Sequence, residues 1–130
     1  MADKDIYITQ ILTTLYNHCK DQTPFNLKDC NEHDQSFITA LEKLSKAEAI
    51  DESIYEQGQY LIERIIANYP MITPVLNRDI LWILGGNCLH YLGDEEIEQY
   101  QQLDEIIYQA QIDNEPVSFQ QAKRLAFKLH

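Results

Sequence analysis

The run LWILGGNCLHYLGDEE, residues 81–96, gathers the side chains of this sequence best suited to chemistry: two adjacent glycines, an asparagine, a cysteine and a histidine, followed by three acids. Three reactions suggest themselves. They are a phosphate cradle at Gly85-Gly86, a nucleophile and base at Cys88 and His90, and an acid/base couple at Glu95 and Glu96. A dinucleotide fingerprint needs three spaced glycines between a strand and the helix it opens, so that backbone amides meet the pyrophosphate. Here the doublet lies in a helical pattern with no strand before it and no third glycine in register. Two residues without side chains instead let another helix pack close or loosen their own, at roughly 1 kcal/mol each against alanine.

On a helix, residues two apart point about 200° from one another, so Cys88 and His90 meet only if the helix breaks after Gly86. In an intact helix Cys88 shares a stripe with Leu81, Leu84 and Leu92 and reads as a buried, inert thiol. His90 then lies near Gly86 and Asp94, within reach of the Asp94 carboxylate. For a metal, His18, Cys19, Cys30 and His33 have the right donor chemistry, but only Cys30-x-x-His33 has chelating spacing and no second pair completes a zinc set. The Glu-x-x-His motifs of a di-iron bundle are absent from the sequence. Glu95 and Glu96 read as a solvated helix start, since nothing nearby supplies the apolar pocket of an acid/base couple. No metal and no cofactor is expected.

Arg78, Asp79 and Trp82 remain. Arg78 and Trp82 are four apart and share a helix face, while Asp79 sits where it can complement a helix N-terminus or pair with another segment. The three either clamp helices together internally or, with Tyr91, anchor an interface, because Arg, Trp and Tyr concentrate binding energy.

The elements that must position these residues are all helical. Ile8, Ile11, Leu12, Leu15 and Cys19 mark a helix over residues 5–20. Phe37, Ile38, Leu41 and Leu44 mark a second over 32–47, after a polar loop broken by Pro24. Asp51 caps a third, with Ile54, Gly58, Leu61, Ile65 and Tyr69 inside and Gly58 admitting a close neighbour. Thr73 and Pro74 open a fourth, predicted to run without interruption over 74–92. Gly93 is expected as its left-handed C-cap and Asp94 as the N-cap of a fifth, 95–112, whose inner face carries Ile97, Tyr100, Leu103, Ile107 and Ala110. Ser118 and Gln121 form a capping box for a last helix ending at Leu129. With no alternating apolar pattern anywhere, the expected fold is all-α, a single-domain bundle of five to six helices.

A domain of 130 residues builds a core without disulfides. Three cysteines and an opening segment lacking a basic region before an apolar one point to a cytoplasmic protein. No window approaches the roughly 20 apolar residues of a membrane span. The net charge of −11 disfavours nucleic acid and anionic membranes as partners. Between Arg78 and Lys123 there is no Lys or Arg, yet nine acids fall there, a field that attracts a basic protein surface.

The segments YEQGQYLIERIIANYP and NRDILWILGGNCLHYLGDEEIEQYQQLDE, within residues 55–108, resemble a family of small helical proteobacterial proteins sharing an Arg-Asp, Trp, double-glycine, Cys-Leu-His pattern. The resemblance implies a bacterial cytoplasmic protein and carries no activity; the dehydrogenase label of some members has no physical support in the glycine doublet.

The sequence therefore points to a non-enzymatic adaptor or regulator that binds a basic partner protein through Asp94, Glu95, Glu96, Glu98 and Asp104, with Arg78, Trp82, His90 and Tyr91 in contact. The alternatives are a small enzyme or ligand-binding protein with a pocket around Gly85-Gly86, Cys88 and His90, and an acidic mimic of nucleic acid. A homodimer through an uncovered apolar stripe is compatible with all three.

Overall fold

The computed structural model of the chain describes residues 3–128, apart from the side chains of Asp3, Asn87, Cys88 and His90. Among the described residues there are six α-helices and no strand: α1 (Asp3–Lys20), α2 (Glu32–Ser45), α3 (Glu52–Asn68), α4 (Arg78–Leu84), α5 (Asp94–Ile112) and α6 (Phe119–Phe127). Most ends follow local side-chain chemistry. Asn31 accepts from the Asp34 amide at 2.8 Å, Asp51 from Ile54 at 3.0 Å, and Asn77 from Asp79 at 2.7 Å. The capping box at α6 is complete, with Ser118 Oγ taking the Gln121 amide at 3.0 Å and Gln121 Oε1 taking the Ser118 amide at 3.1 Å. The predicted end of that helix at Leu129 lies outside the described residues.

One continuous core collects the inner stripes. Ile8, Leu12 and Cys19 of α1, Phe37 and Leu41 of α2, Leu61 and Ile65 of α3, Ile80 of α4 and Leu103 of α5 are all buried, and α6 adds Phe119 and Ala122. α1 packs chiefly on α2, α3 on α2 and α4, and α5 on α6. Aromatic rings join the pieces: Phe25, Phe37 and Tyr69 lie within 5.4 Å of each other by centroid, and Tyr7 of α1 lies 4.9 Å from Phe119 of α6. Arg64 is buried here too, its guanidinium 5.4 Å from the Phe37 centroid and 3.0 Å from the His33 carbonyl that takes its proton.

The fourth helix departs from the sequence expectation. Rather than one helix over 74–92, the chain forms a 3-10 turn at Thr73–Val75, the seven-residue α4, and a 3-10 segment at Gly86–Tyr91. Two local causes act. Leu76 and Asn77 are extended, with ψ 128° and 133°, so Asn77 begins a helix afresh. At the other end Gly86 has φ +51°, a left-handed conformation that stops the α-helix and that residues with a Cβ rarely adopt. The same place is crowded. A Cβ on Gly86 would sit 2.2 Å from the Gln59 side chain of α3, and one on Gly58 would sit 2.9 Å from Leu84 Cδ1. The close approach expected of Gly58 is therefore made, by α4.

Gly93 is also corrected. With φ −71° and ψ 160° it is extended, not left-handed, and it is itself the N-cap of α5, so Asp94 is the first helical residue. Because the preceding segment already ends at Tyr91, there is no helix for Gly93 to terminate. Its amide donates to Glu96 Oε1 at 3.2 Å.

Candidate functional site

The joint between α4 and α5 holds the residues singled out from sequence, and the structure divides them into two sets. Arg78 opens α4 and reaches across to α5, where its fork meets the Glu96 carboxylate: Nε to Oε2 at 3.0 Å and Nη2 to Oε1 at 2.5 Å. Its Nη2 also donates to the Tyr91 carbonyl at 3.3 Å. The guanidinium hydrogen bond holds Glu96 below its ordinary carboxylate range, and Glu96 in turn raises Arg78. One turn along α4, Trp82 stacks on Tyr100 of α5 at 5.4 Å and 13°, and its indole donates to Asp104 Oδ2 at 3.1 Å. Arg78, Trp82, Glu96 and Asp104 thus tie α4 to α5.

The second set faces outward. Asp94, Glu95 and Glu98 are exposed, and among the described residues none of them is in an ion pair. Asp94, Glu98, Glu105 and Ile112 stand at i, i+4, i+11 and i+18, which is nearly one line along α5. Ile112 is 58 % exposed and Tyr108, beside that line, 65 %. Tyr91 is partly exposed at the joint. The 3-10 segment includes His90 and Cys88, but their side chains, with that of Asn87, lie outside the described residues.

Sequence reading offered Asp79 as part of an internal clamp between helices but named none of its partners Tyr7, Tyr100 and Lys123. Asp79 is 0 % exposed and its carboxylate is the meeting point of three other helices. Oδ2 accepts from the Tyr7 hydroxyl of α1 and, at 2.9 Å, from Lys123 Nζ of α6, while Oδ1 accepts from Tyr100 of α5 at 2.5 Å. Burial, then the hydrogen bond to Asp79, pushes Tyr7 up to about 12, and the same two causes push Tyr100 up. Both phenols therefore stay protonated near neutral pH and donate to the carboxylate, which joins α1, α4, α5 and α6. A signal was present: Asp79 falls one helical turn after Leu76 and one before Ile83, on the apolar side of its segment, and a buried acid demands partners.

The set read for zinc does not assemble. Cys19 is buried in the core, where burial pushes its thiol up to about 11, and the His33 ring rests against Arg64 at 3.2 Å. Among the described residues no three His, Cys, Asp or Glu side chains converge as a metal site. No helix is long and apolar enough to cross a membrane.

Beyond the α4–α5 joint, a groove of about 520 Å³ runs along α1 opposite the start of α4, lined in part by Tyr7 and Asn77. Compared with known proteins, the chain matches no curated protein and no solved structure. A family model does match it over residues 1–129, and the chain belongs to the PA2817-like family.

Proposed function

We propose that this protein is a non-enzymatic adaptor or regulator that engages a basic surface of a partner protein through the outer face of α5. The observation that carries the reading is the line of Asp94, Glu98 and Glu105, exposed and without ion-pair partners among the described residues, ending at the exposed Ile112 and Tyr108. Unpaired carboxylates steer a cationic surface inward, and an exposed aliphatic and phenol beside them give it apolar area to cover. In this reading Asp94, Glu95 and Glu98 make contact, with Tyr91 and His90 at the edge of the surface. Arg78, Trp82, Glu96 and Asp104 act by fixing α5 on α4. The partner is expected to be a cytoplasmic protein. Dehydrogenase chemistry forms no part of the reading, because Gly85 and Gly86 close an α-helix rather than open one after a strand.

The test is capture of the partner by tagged protein at low salt and in about 0.5 M salt, where the screening length falls to a few ångströms. A D94K/E95K/E98K/E105K variant with an unchanged circular dichroism spectrum is run beside it. A stoichiometric partner lost with salt and with the variant is the expected result. A partner retained under both conditions sinks the electrostatic reading; a partner lost under both and also displaced by duplex DNA marks the acidic surface as a nucleic-acid mimic.

A second reading, a small enzyme or ligand-binding protein using Asn87, Cys88 and His90, is favoured by one observation: the α-helix ends at the glycine doublet, although residues 86–91 continue as a 3-10 segment rather than breaking after Gly86. Alkylation at Cys88 no faster than a model thiol at neutral pH counts against it.

A further inference from the structure

The groove along α1 has a lining unlike the rest of this chain. Nine residues line it and none is Asp, Glu, Lys or Arg, although those types make up 24 % of the sequence. At about 520 Å³ it falls within the range of small-molecule sites. Its order follows from helix geometry. Residues 11 and 15 of α1 form one i, i+4 row, and with Ile80 of α4 they give a buried apolar floor. Residues 10, 14 and 18 form the adjacent row and give an exposed polar rim about 6 Å apart per step.

The rim has hydrogen-bonding capacity left over. The Gln10 amide and the His18 ring have no side-chain partner among the described residues. Thr14 spends its proton on the Gln10 carbonyl at 3.0 Å and keeps its oxygen as an acceptor. At the end nearest α4, Asn77 is fixed, its oxygen taken by the Asp79 amide and its NH₂ turned toward the Tyr7 hydroxyl, which leaves one of its two N–H groups to donate. Tyr7 is fixed beside it through its bond to the fully buried Asp79. Rigid support of this kind is what a binding site needs.

We propose that this groove binds an uncharged organic molecule with an apolar body and amide or hydroxyl groups along one edge. The body covers Ile11, Leu15 and Ile80, and the polar edge meets Gln10, Thr14 and Asn77. A cation would give up water here without meeting a carboxylate, and an anion without meeting a Lys or Arg, while the net charge of −11 repels anions in addition. The site lies on α1 and α4, away from the outer face of α5, and stands or falls independently of the adaptor reading.

Three probes of one size and different charge test it: benzamide, benzoate and benzamidine, titrated at millimolar concentration into the ¹⁵N-labelled full chain and followed by amide shifts. Benzamide is expected to shift residues 10, 14 and 77 saturably, benzoate to leave them unmoved, and benzamidine to give only shifts that vanish in high salt. Thr14→Trp, at an exposed rim position, is expected to abolish the benzamide shifts. Val75→Arg, on the facing wall where Val75 is 48 % exposed, is expected to reverse the order so that benzoate shifts the same amides. The proposal is overturned by absence of saturable benzamide shifts, by their survival in both variants, or by benzamidine shifting these residues equally in high salt.

Discussion

Lys123 Nζ lies 2.9 Å from Oδ2 of Asp79, joining the last helix to a carboxylate with no exposed surface. Forty-four residues separate them, and nothing local brings them together. The pair, with Tyr7 and Tyr100 on the same carboxylate, fastens α1, α4, α5 and α6 at one point.

Removing either member leaves the other poorly matched in a buried setting, a loss of about 3–5 kcal/mol for a fully buried pair and less here because a quarter of the Lys123 side chain is exposed. Asp79→Asn and Lys123→Met are therefore expected to cost about 2–4 kcal/mol each in urea unfolding. The double variant is expected to lose less than their sum by about 1 kcal/mol or more. Additive losses would show that the two side chains do not interact.

Tyr7 ionises late. Because its pKa is raised to about 12 in the folded chain, the folded state holds a proton that the unfolded state releases from about pH 10 upward. The stabilisation from this group is complete below pH 10 and is lost as pH rises from about 10 to about 12. Absorbance titration at 295 nm is expected to show a tyrosine class titrating near 12 that disappears in Tyr7→Phe. A single class centred at the ordinary phenol value contradicts the bond to Asp79.

Arg78 and Glu96 make a forked pair whose side chains are 51 % and 32 % exposed, so screening limits their contribution. Arg78→Lys loses the fork and is expected to lower stability by about 0.5–1 kcal/mol, the loss shrinking as salt rises. Glu96 is depressed, so its contribution is present above its unfolded pKa and fades as pH falls through the folded value. In Glu96→Gln the acid limb of the stability curve is expected to flatten; an unchanged limb argues that the ion pair is not maintained in solution.

At Gly86 the backbone conformation and the space are both exacting. Gly86→Ala is expected to destabilise by about 1–2 kcal/mol from φ +51° alone, with more from the Cβ approaching Gln59. Gln59→Ala in the same chain is expected to restore only the second part. Full rescue would mean that the left-handed backbone there carries no strain for alanine.

Much of the fold was legible because its determinants are local. Helical spacing of Ile8, Leu12 and Leu15, or of Phe37 and Leu41, needs no partner to be read, and the caps at Asp51 and Ser118 act within one turn. The fourth helix was misread because its apolar period runs through Leu76 to Leu92 unbroken, while the interruption comes from backbone angles at Asn77 and Gly86 that periodicity does not encode.

The residues proposed for binding were legible as types but not as roles. Arg78, Trp82, Glu96 and Asp104 sit among Asp94, Glu95 and Glu98 in the sequence, yet one set is spent on α4–α5 contacts and the other is open to solvent. Sequence alone determined an all-helical chain, its acid-rich C-terminal half and the near-boundaries of five helices, because propensity, capping and charge depend on neighbours within a turn or two. The tertiary structure decided that Tyr7, Tyr100 and Lys123 meet on the one buried carboxylate of Asp79 and that a groove lined by no Asp, Glu, Lys or Arg opens along α1. Those depend on which helix faces meet, and a hydrogen bond spanning 72 residues leaves no periodic trace in the chain.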